Sequence, residues 1–379
     1  MARKRRKLIV RDRKKTAFRI ALTAIILLTL IGIGVLTFFI VKSCGIKMTV
    51  RAVPLNTSDM ICGTGDGIMY VRGSTLSFLS YKDEDRNFTR STTGSAVPSG
   101  LAGTPEIKVV YSENAIQIVG GDFNMSFDGS IEAVRCGSVY VAVCSRLPNG
   151  DEQITVYTSA GQQLKVFDFI GGGLIDFGFS EASGSTLWTM ELDTDSGSPR
   201  TTISTFDLSR MSSTGVITVS GQLVEDIFFT NSSVFVIGTE SLIRYSAAAN
   251  REVYRVQLYG YRVADISLSG DSPMLMLVPR SVSSLDEATS VRVLTVSQKD
   301  VADETAITMT LPQGTVGCHL TNGYLAVIRT NSIELYSGKG KLAETETLAA
   351  GSTSSSRKLD EKHILLERSG EFVLLTIGK

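Results

Sequence analysis

The chain holds few of the residues that carry most enzymatic chemistry. Only two histidines, His319 and His363, occur in its 379 residues. Each lies in a segment typical of a β-strand, where adjacent side chains point to opposite faces of the sheet. His319 and its neighbour Cys318 therefore cannot readily bind one metal ion. We interpret both histidines as surface or edge residues of a sheet.

Common catalytic and metal-binding motifs are absent from the sequence. It contains no His-x-x-x-His, Cys-x-x-Cys, Gly-x-Ser-x-Gly or Walker pattern. Zinc hydrolysis, serine-esterase chemistry and nucleotide hydrolysis therefore lack support. We predict no catalytic residue, no metal ligand and no cofactor.

Carboxylates remain an alternative source of chemistry, because a pair of them can catalyse hydrolysis without histidine. Asp193 with Asp195, and the run 83–85, could suggest calcium. Both lack the glycine and terminal glutamate of a calcium loop, which favours solvated acidic loops. The segment 180–188 resembles the Asp-box hairpin of sialidase-like propellers, but Ala182 stands at the aspartate position and Trp188 is one residue late.

The cysteines form an odd set without the spacing of a disulfide framework: Cys44, Cys62, Cys136, Cys144 and Cys318. A domain of this size can bury a sufficient core without disulfides. We interpret all of them except Cys44 as mostly small, buried apolar residues. One disulfide in an oxidising compartment is the alternative.

The elements that must position any site are short strands. From about residue 46 onward, segments rich in Val, Ile, Tyr, Phe and Thr alternate polar and apolar residues and are separated by Gly, Asn, Asp and Ser. This period of two is typical of half-buried strands. Asn149-Gly150 and Asn322-Gly323 are dipeptides of tight hairpins. The sequence therefore predicts an all-β domain.

The strands recur in units of four, at 58–92, 95–127, 130–169, 174–219, 223–258, 262–311 and 315–348. Such repetition predicts a β-propeller. A last unit, 357–377, has room for three strands, and we expect 47–53 to supply the fourth and close the ring. The prediction is seven or eight four-stranded blades, with 351–356 as a surface loop. Two stacked β-sandwiches are the competing architecture, but no linker divides the domain.

One segment before the strands has the character of a membrane span. The 22 residues from Ile20 to Val41 contain no charged side chain. As a helix they would extend roughly 33 Å, against a hydrocarbon core of about 30 Å. Because no small-x-small cleavage site follows, we predict a retained transmembrane helix that starts at Ile20 and ends at Val41.

The distribution of charge predicts the orientation of this helix. Residues 1–19 carry ten basic groups and one acidic group, 10 − 1 = +9, and the rest of the chain carries 28 − 37 = −9. Lys and Arg resist translocation, so we predict a cytoplasmic tail at 1–19 and an extracytoplasmic domain at 42–379. Attraction to anionic lipid explains the tail better than nucleic-acid binding does. Its basic residues are Arg3, Lys4, Arg5, Arg6, Lys7, Arg11, Arg13, Lys14, Lys15 and Arg19.

Together these features resemble a family of uncharacterised single-pass membrane proteins of Gram-positive bacteria. Those proteins carry a propeller of the broad WD40-like or quinoprotein-like type. Within the propeller the likeness rests on Leu320-Thr321-Asn322-Gly323-Tyr324-Leu325-Ala326-Val327. The resemblance implies fold and placement at the cell membrane but transfers no reaction. The single tryptophan, Trp188, departs from the repeated tryptophans of quinoprotein propellers.

The predicted function follows from placement and from the missing catalytic motifs. A rigid ring on a membrane anchor displays binding loops at its rim and mouth. We predict an extracytoplasmic scaffold or sensor that binds a protein or envelope component, contacts the lipid bilayer through 20–41, and has no catalysis of its own. The alternative is a carboxylate-based enzyme or small-ligand receptor that uses the propeller channel.

Overall fold

The computed structural model of the protein describes residues 46–92, 97–120, 124–170, 173–181, 184–194, 197–269, 272–297, 299 and 305–378. The predicted tail at 1–19, the predicted span at 20–41, Cys44, Ala182 and Asp195 lie outside these residues. Within them, no helix has the length and apolar character needed to cross a membrane.

The described residues form 32 strands in eight four-stranded sheets, here called blades. Blade 1 contains β2 (Met60–Gly63), β3 (Gly67–Arg72), β4 (Thr75–Ser80) and β5 (Phe88–Ser91), with a 3-10 helix at Glu84–Arg86. Blade 2 contains β6 (Gly100–Gly103), β7 (Lys108–Tyr111), β8 (Ala115–Ile118) and β9 (Asn124–Ser126). Blade 3 contains β10 (Ser130–Cys136), β11 (Tyr140–Arg146), β12 (Glu152–Thr158) and β13 (Gln163–Phe169).

The next four blades repeat this arrangement. Blade 4 contains β14 (Leu174–Phe179), β15 (Thr186–Asp193), β16 (Arg200–Asp207) and β17 (Ser212–Ser220). Blade 5 contains β18 (Val224–Phe229), β19 (Ser233–Gly238), β20 (Ser241–Ser246) and β21 (Glu252–Gln257). Blade 6 contains β22 (Tyr261–Ser267), β23 (Met274–Pro279), β24 (Ser290–Thr295) and β25 (Thr305–Thr310), with a 3-10 helix at Leu285–Glu287. Blade 7 contains β26 (Thr315–Thr321), β27 (Tyr324–Arg329), β28 (Ser332–Ser337) and β29 (Leu342–Thr347).

The eighth blade combines one strand from the start of the domain sequence with three strands from its end. Its strand order is β1 (Lys47–Val53), β32 (Glu371–Gly378), β31 (His363–Arg368) and β30 (Thr353–Lys358). The prediction of eight blades is therefore confirmed over that of seven. The expected loop at 351–356 is wrong, because most of it belongs to β30. Its run of serines lacks the apolar alternation that marks the other strands.

One edge strand of each blade lies at the centre of the ring: the first strand of blades 1 to 7, and β30 of blade 8. These inner strands contact one another between adjacent blades, as β2 with β6 and β26 with β30 do. We call the strands of a blade A to D from the centre outward. Four antiparallel strands return the chain to the end where it started. All connections from strand D to the next strand A therefore lie on one end, the D–A face.

The core lies between neighbouring blades. One cluster joins Trp188 and Ile203 of blade 4 to Ile227 and Val236 of blade 5. Another joins Leu365 of blade 8 to core residues of blade 1. Each blade therefore buries its apolar faces only when it has a neighbour on both sides.

The four described cysteines are unbonded. Cys144 and Cys318 are buried, and burial raises the pKa of each thiol to about 12. They act as small apolar residues, as predicted. Cys62 and Cys136 are half-buried on the inner strands of blades 1 and 3.

Ring closure by β1 can be tested at two valines of that strand. Val53 is 9% exposed and packs with Leu55 and Leu374, whereas Val50 is 38% exposed. We expect Val53→Asp to lower the free energy of unfolding by about 3 kcal/mol, because it buries an unpaired charge. Val50→Asp should stay within about 0.5 kcal/mol of wild type. Urea denaturation measures both, and equal effects would contradict a closing role for β1.

Candidate functional site

Most of the inner strands contain a β-bulge at an equivalent position. Six of them contain a β-bulge near the start, at Ile131/Ala133, Leu174/Asp176, Val224/Asp226, Val263/Asp265, Thr315/Gly317 and Thr353/Ser355. In blades 4, 5 and 6 the residue directly after the bulge is an aspartate. A bulge re-aims side chains and disrupts the ladder locally. It therefore sets three carboxylates at equivalent positions around the centre of the ring.

Each of these aspartates binds the backbone of its own strand in the same way. Asp176 Oδ1 accepts from Phe177 N at 2.8 Å, Asp226 Oδ1 from Ile227 N at 2.7 Å, and Asp265 Oδ1 from Ile266 N at 2.7 Å. The carboxylate satisfies an N–H group near the bulge. The dipeptide of aspartate and an apolar residue is thus a structural repeat of the inner strands.

Cationic partners distinguish the three aspartates. Arg135 Nη2 lies 3.4 Å from Asp176 Oδ1, and Lys358 Nζ lies 3.0 Å from Asp265 Oδ1. Asp226 has no ion pair within the part of the chain that is described. Burial raises the pKa of the Asp226 carboxyl, and the charge of Asp176 adds to this effect. Burial also raises the pKa of Glu181, with a contribution from Asp226.

Lys358 and its partner Asp265 link three consecutive blades. Lys358 Nζ donates to Ile266 O at 2.7 Å and pairs with Glu361 Oε1 at 3.5 Å, in addition to Asp265. Glu361 Oε2 accepts from Ser267 Oγ at 2.6 Å, and Asp265 Oδ2 accepts from Leu320 N at 2.7 Å. These contacts satisfy the polar groups of blades 6, 7 and 8. They serve the packing of the ring and leave these two acids engaged.

The structure corrects the interpretation of His363, whereas His319 lies on an edge strand of its sheet, as predicted. His363 was expected at the surface but is 8% exposed, because Tyr81 of blade 1 stacks on its ring with centroids 3.6 Å apart. Its Nδ1 contacts Asp360 Oδ1 at 2.8 Å. His319 is half-buried on the inner strand β26, and its Nε2 lies 2.9 Å from Ser356 Oγ. Gly317 permits this approach, since a Cβ there would collide with Ser356 Oγ.

Asp83 of the candidate calcium run and Trp188 of the Asp-box-like segment have structural roles. Asp83 Oδ1 accepts from Asp85 N at 3.1 Å and caps the 3-10 helix of blade 1. Trp188 is 8% exposed and stacks near Phe229 in the core between blades 4 and 5. Among the residues that the structure describes, no three His, Cys, Asp or Glu side chains are grouped to hold a metal ion.

The D–A face carries the most exposed large apolar side chains of the described chain. Ile170 is 84% exposed, Val97 82% and Tyr259 76%, and all three lie in D-to-A connections. Leu223, in the connection between blades 4 and 5, is 45% exposed, and the bulge residue Ile175 is 44% exposed. We call Ile170, Ile175, Leu223 and Tyr259 the apolar arc. It follows consecutive connections from blade 3 to blade 6.

A small cleft adjoins the end of the apolar arc. It has a volume of about 180 Å³ and lies between blades 5 and 6, where Arg255, Arg292 and Tyr259 line it. Arg255 pairs with Glu252 at 2.9 Å. Arg292 lies 5.9 Å from the centroid of the Tyr261 ring and has no carboxylate partner in the described ranges. Its guanidinium can therefore accept an anionic group.

Sequence reasoning missed both the aspartate repeat and the apolar arc. A signal for the first was present, since Asp176-Phe177, Asp226-Ile227 and Asp265-Ile266 occupy equivalent places in three predicted units. The apolar arc had a weaker signal, a single large apolar residue in each of several turns. Its members lie on one face because the blades share one orientation.

Comparison with solved structures finds propellers of the same kind. The WD40 domain of SCAP from fission yeast matches with a TM-score of 0.57 and 9% identity, over 87% of this chain and 98% of that chain. The Dos1 propeller matches with a TM-score of 0.53 and 10% identity, over 86% and 94%. BamB from Moraxella catarrhalis matches with a TM-score of 0.51 and 9% identity, over 86% and 97%. The fold is a WD40-like and BamB-like β-propeller.

No protein-family model matches the chain, and neither does any curated protein sequence. At such low identities the structural likeness establishes the fold alone. Membrane anchoring and the resemblance to Gram-positive membrane proteins stay predictions.

His319 gives a prediction about pH. Burial lowers its pKa to about 4; Asp265 opposes this shift and Lys358 adds to it. An unfolded histidine titrates near 6.5, so between these values the unfolded chain binds the proton that the folded chain excludes. Stability should therefore fall as the pH falls from about 6.5 towards 4.

Between pH 7 and pH 4.5, we expect the free energy of unfolding of His319→Gln to fall by roughly 2 kcal/mol less than that of wild type, since glutamine does not titrate. Urea midpoints measured at both pH values check this. Above pH 7 the two proteins should show parallel pH dependence. Parallel loss of stability in the acidic range as well would contradict burial of a neutral imidazole.

Proposed function

We propose that the protein is a membrane-anchored, extracytoplasmic propeller that binds a protein partner of the membrane or envelope through its D–A face. The apolar arc is the observation that carries this proposal. Large apolar side chains that are exposed together typically mark interaction surfaces. Burial of each can contribute about 1.5–3 kcal/mol, which makes the arc a suitable centre for an interface.

The architecture supports a binding role. The strands hold the D-to-A connections at fixed positions, and loops on a rigid scaffold commonly carry binding residues. Within the described ranges, the acids of the inner strands are largely engaged with Arg135, Lys358 and backbone N–H groups. That pattern favours a scaffold over an enzyme.

Membrane anchoring is supported by the sequence. The uncharged segment from Ile20 to Val41 and the ten basic residues before it fit a single span with its amino terminus inside. The charge of −9 on residues 20–379, 28 − 37, disfavours anionic polymers as the main partner. A protein partner on the same membrane or in the envelope fits these features.

The cleft between blades 5 and 6 adds a preference about the partner's chemistry. Arg292 lies beside the apolar arc and forms no ion pair with a carboxylate of the described residues. Arginine forms strong, directional hydrogen bonds with carboxylates. We infer that the partner presents an acidic group next to apolar side chains.

Crosslinking in intact cells tests the interface. The full-length protein should yield a specific crosslinked partner, and recovery should fall at least tenfold, on the order of 1.4 kcal/mol, in the variant Ile170→Asp/Leu223→Asp/Tyr259→Ser. The matched control is Val216→Asp/Leu342→Asp, whose two residues are 54% and 56% exposed on outer strands. The control should retain the partner. No specific partner under several growth conditions, or equal loss in both variants, would contradict the proposal.

The alternative, a carboxylate-based enzyme or small-ligand receptor in the channel, is favoured by one observation. Asp226 and Glu181 have raised pKa values and no cationic partner among the described residues. A carboxylate retained at a cost in stability is typical of functional sites. Asp176, Asp265 and Glu361 are engaged, so the alternative rests on fewer groups than the scaffold does.

Asp226→Asn separates the two functions. Asparagine can still accept from Ile227 N but carries no charge, so the variant should unfold at a higher temperature than wild type at pH 7. The difference should shrink as the pH falls and Asp226 takes up a proton. Under the scaffold proposal, partner recovery is unchanged. Loss of the protein's cellular phenotype with partner recovery intact would favour the channel alternative.

A further inference from the structure

A larger cavity lies between blades 3 and 4, apart from the apolar arc. It has a volume of about 340 Å³, and strand β13 of blade 3 and strands β15 and β16 of blade 4 form most of its walls. Ligand pockets in proteins have volumes of about 300–1,000 Å³. This cavity therefore suits a small molecule or one side chain with its neighbour.

One wall of the cavity presents a carboxylate without a partner. Leu187, Thr189 and Glu191 alternate along β15 and so share the face that looks towards blade 3. Glu191 is half-buried, and it has no ion pair and no hydrogen bond within the described residues. Burial raises the pKa of Glu191. An unpaired, desolvated carboxylate gains more from a bound cation than an exposed one does.

Aromatic rings from both blades form the floor of the cavity. The rings of Phe167 on β13 and Phe206 on β16 meet edge to face, with centroids 5.2 Å apart and planes at 81°. Phe169 and Leu187 continue this apolar surface into the core between the blades. Aromatic rings bury much apolar surface and attract cations over their faces. The cavity thus combines an anionic group with an apolar floor.

The other charged groups around the cavity leave Glu191 available. Asp168, which also lines it, is exposed and accepts from Gln153 Nε2 at 2.8 Å. Lys165 Nζ lies 5.9 Å from the centroid of the Phe167 ring. In the described part of the chain Lys165 forms no ion pair with Glu191. The two carboxylates of the cavity therefore differ: Asp168 is exposed and hydrogen-bonded, whereas Glu191 is half-buried and has no partner among the described residues.

We infer that this cavity binds an organic cation that carries an apolar group. Its ammonium would pair with the Glu191 carboxylate, and its apolar part would pack on Phe167 and Phe206. The hydroxyls of Thr189 and Ser204, on the same wall, can accept the remaining ammonium hydrogens. A free amine and a lysine side chain next to an apolar residue share this chemistry.

Isothermal titration of the full-length protein with phenethylammonium tests the inference. We expect saturable binding, and at least tenfold weaker binding of both the neutral analogue phenethyl alcohol and the truncated cation ethylammonium. Glu191→Gln should weaken phenethylammonium binding at least tenfold, about 1.4 kcal/mol. The matched control, Asp168→Asn, removes the other carboxylate of the cavity and should stay within about twofold of wild type.

The protonation state of Glu191 supplies a second readout. Binding by the wild type should weaken as the pH is lowered from neutral through the raised pKa of Glu191, whereas binding by Glu191→Gln should change little. Glutamine keeps the shape of the side chain and removes an unpaired charge, so the variant should remain folded, as thermal unfolding would show. The N-acetylated amide of Lys-Phe distinguishes the two sources of the cation. Tighter binding than that of phenethylammonium indicates a peptide ligand, and weaker binding indicates a free amine.

Three results would overturn the inference. The first is no saturable binding of phenethylammonium up to about 10 mM, a concentration well above a millimolar dissociation constant. The second is equal affinity of Glu191→Gln and wild type. The third is equal loss in Glu191→Gln and Asp168→Asn, which would indicate a general charge effect. None of these results tests crosslinking to the partner, so the proposed interface is tested independently of this inference.

Discussion

The structure depends on the placement of β1 as the outer strand of the eighth blade. Each blade has apolar residues on both faces, and these are buried only between two neighbours. Without β1 beside β32, the last blade would have only three strands and would bury less of its contact with blade 1, where Val53 packs. Closure joins a strand from the start of the domain to three from its end. This long-range pairing completes the ring that every inter-blade core requires.

The same closure explains why polar groups can lie at the centre of the ring. Inner strands from different blades approach one another, so Lys358 of blade 8 reaches Asp265 of blade 6 and Glu361 of its own blade. In an open sheet these groups would face solvent and contribute little. Inside the ring, burial strengthens each pair and penalises each unpaired charge. Asp226 differs from the other two aspartates of the repeat, because it is exposed and no described cation pairs with it.

Much of the fold could be predicted from the sequence because a propeller repeats a local pattern. The four-strand units were predictable from alternation and turn residues, and the segment of β1 from its position before the first unit. Strand β30 was missed because Ser354, Ser355 and Ser356 lack apolar alternation. Its position next to β26 and β31 holds these residues in a strand. Tertiary pairing here outweighs a weak local preference.

The candidate sites were less predictable because they depend on the ring. The burial of His363 follows from Tyr81, which lies at the other end of the domain sequence. The difference between Glu191 and Asp168 is not visible in residue type or spacing. It follows from the gap between two blades, in which Asp168 accepts from an amide and Glu191 has no partner among the described residues.

A propeller of this kind separates stability from recognition. Its polar centre and apolar inter-blade layers are mostly satisfied within the chain. Among the described residues, the apolar arc lies in or next to the D-to-A connections, and Arg292 and Glu191, which form no ion pair there, line clefts between blades. There a substitution changes a surface and leaves the ring intact. Recognition can therefore vary at these positions at little cost to the fold, and they are the places where the protein's specificity is best sought.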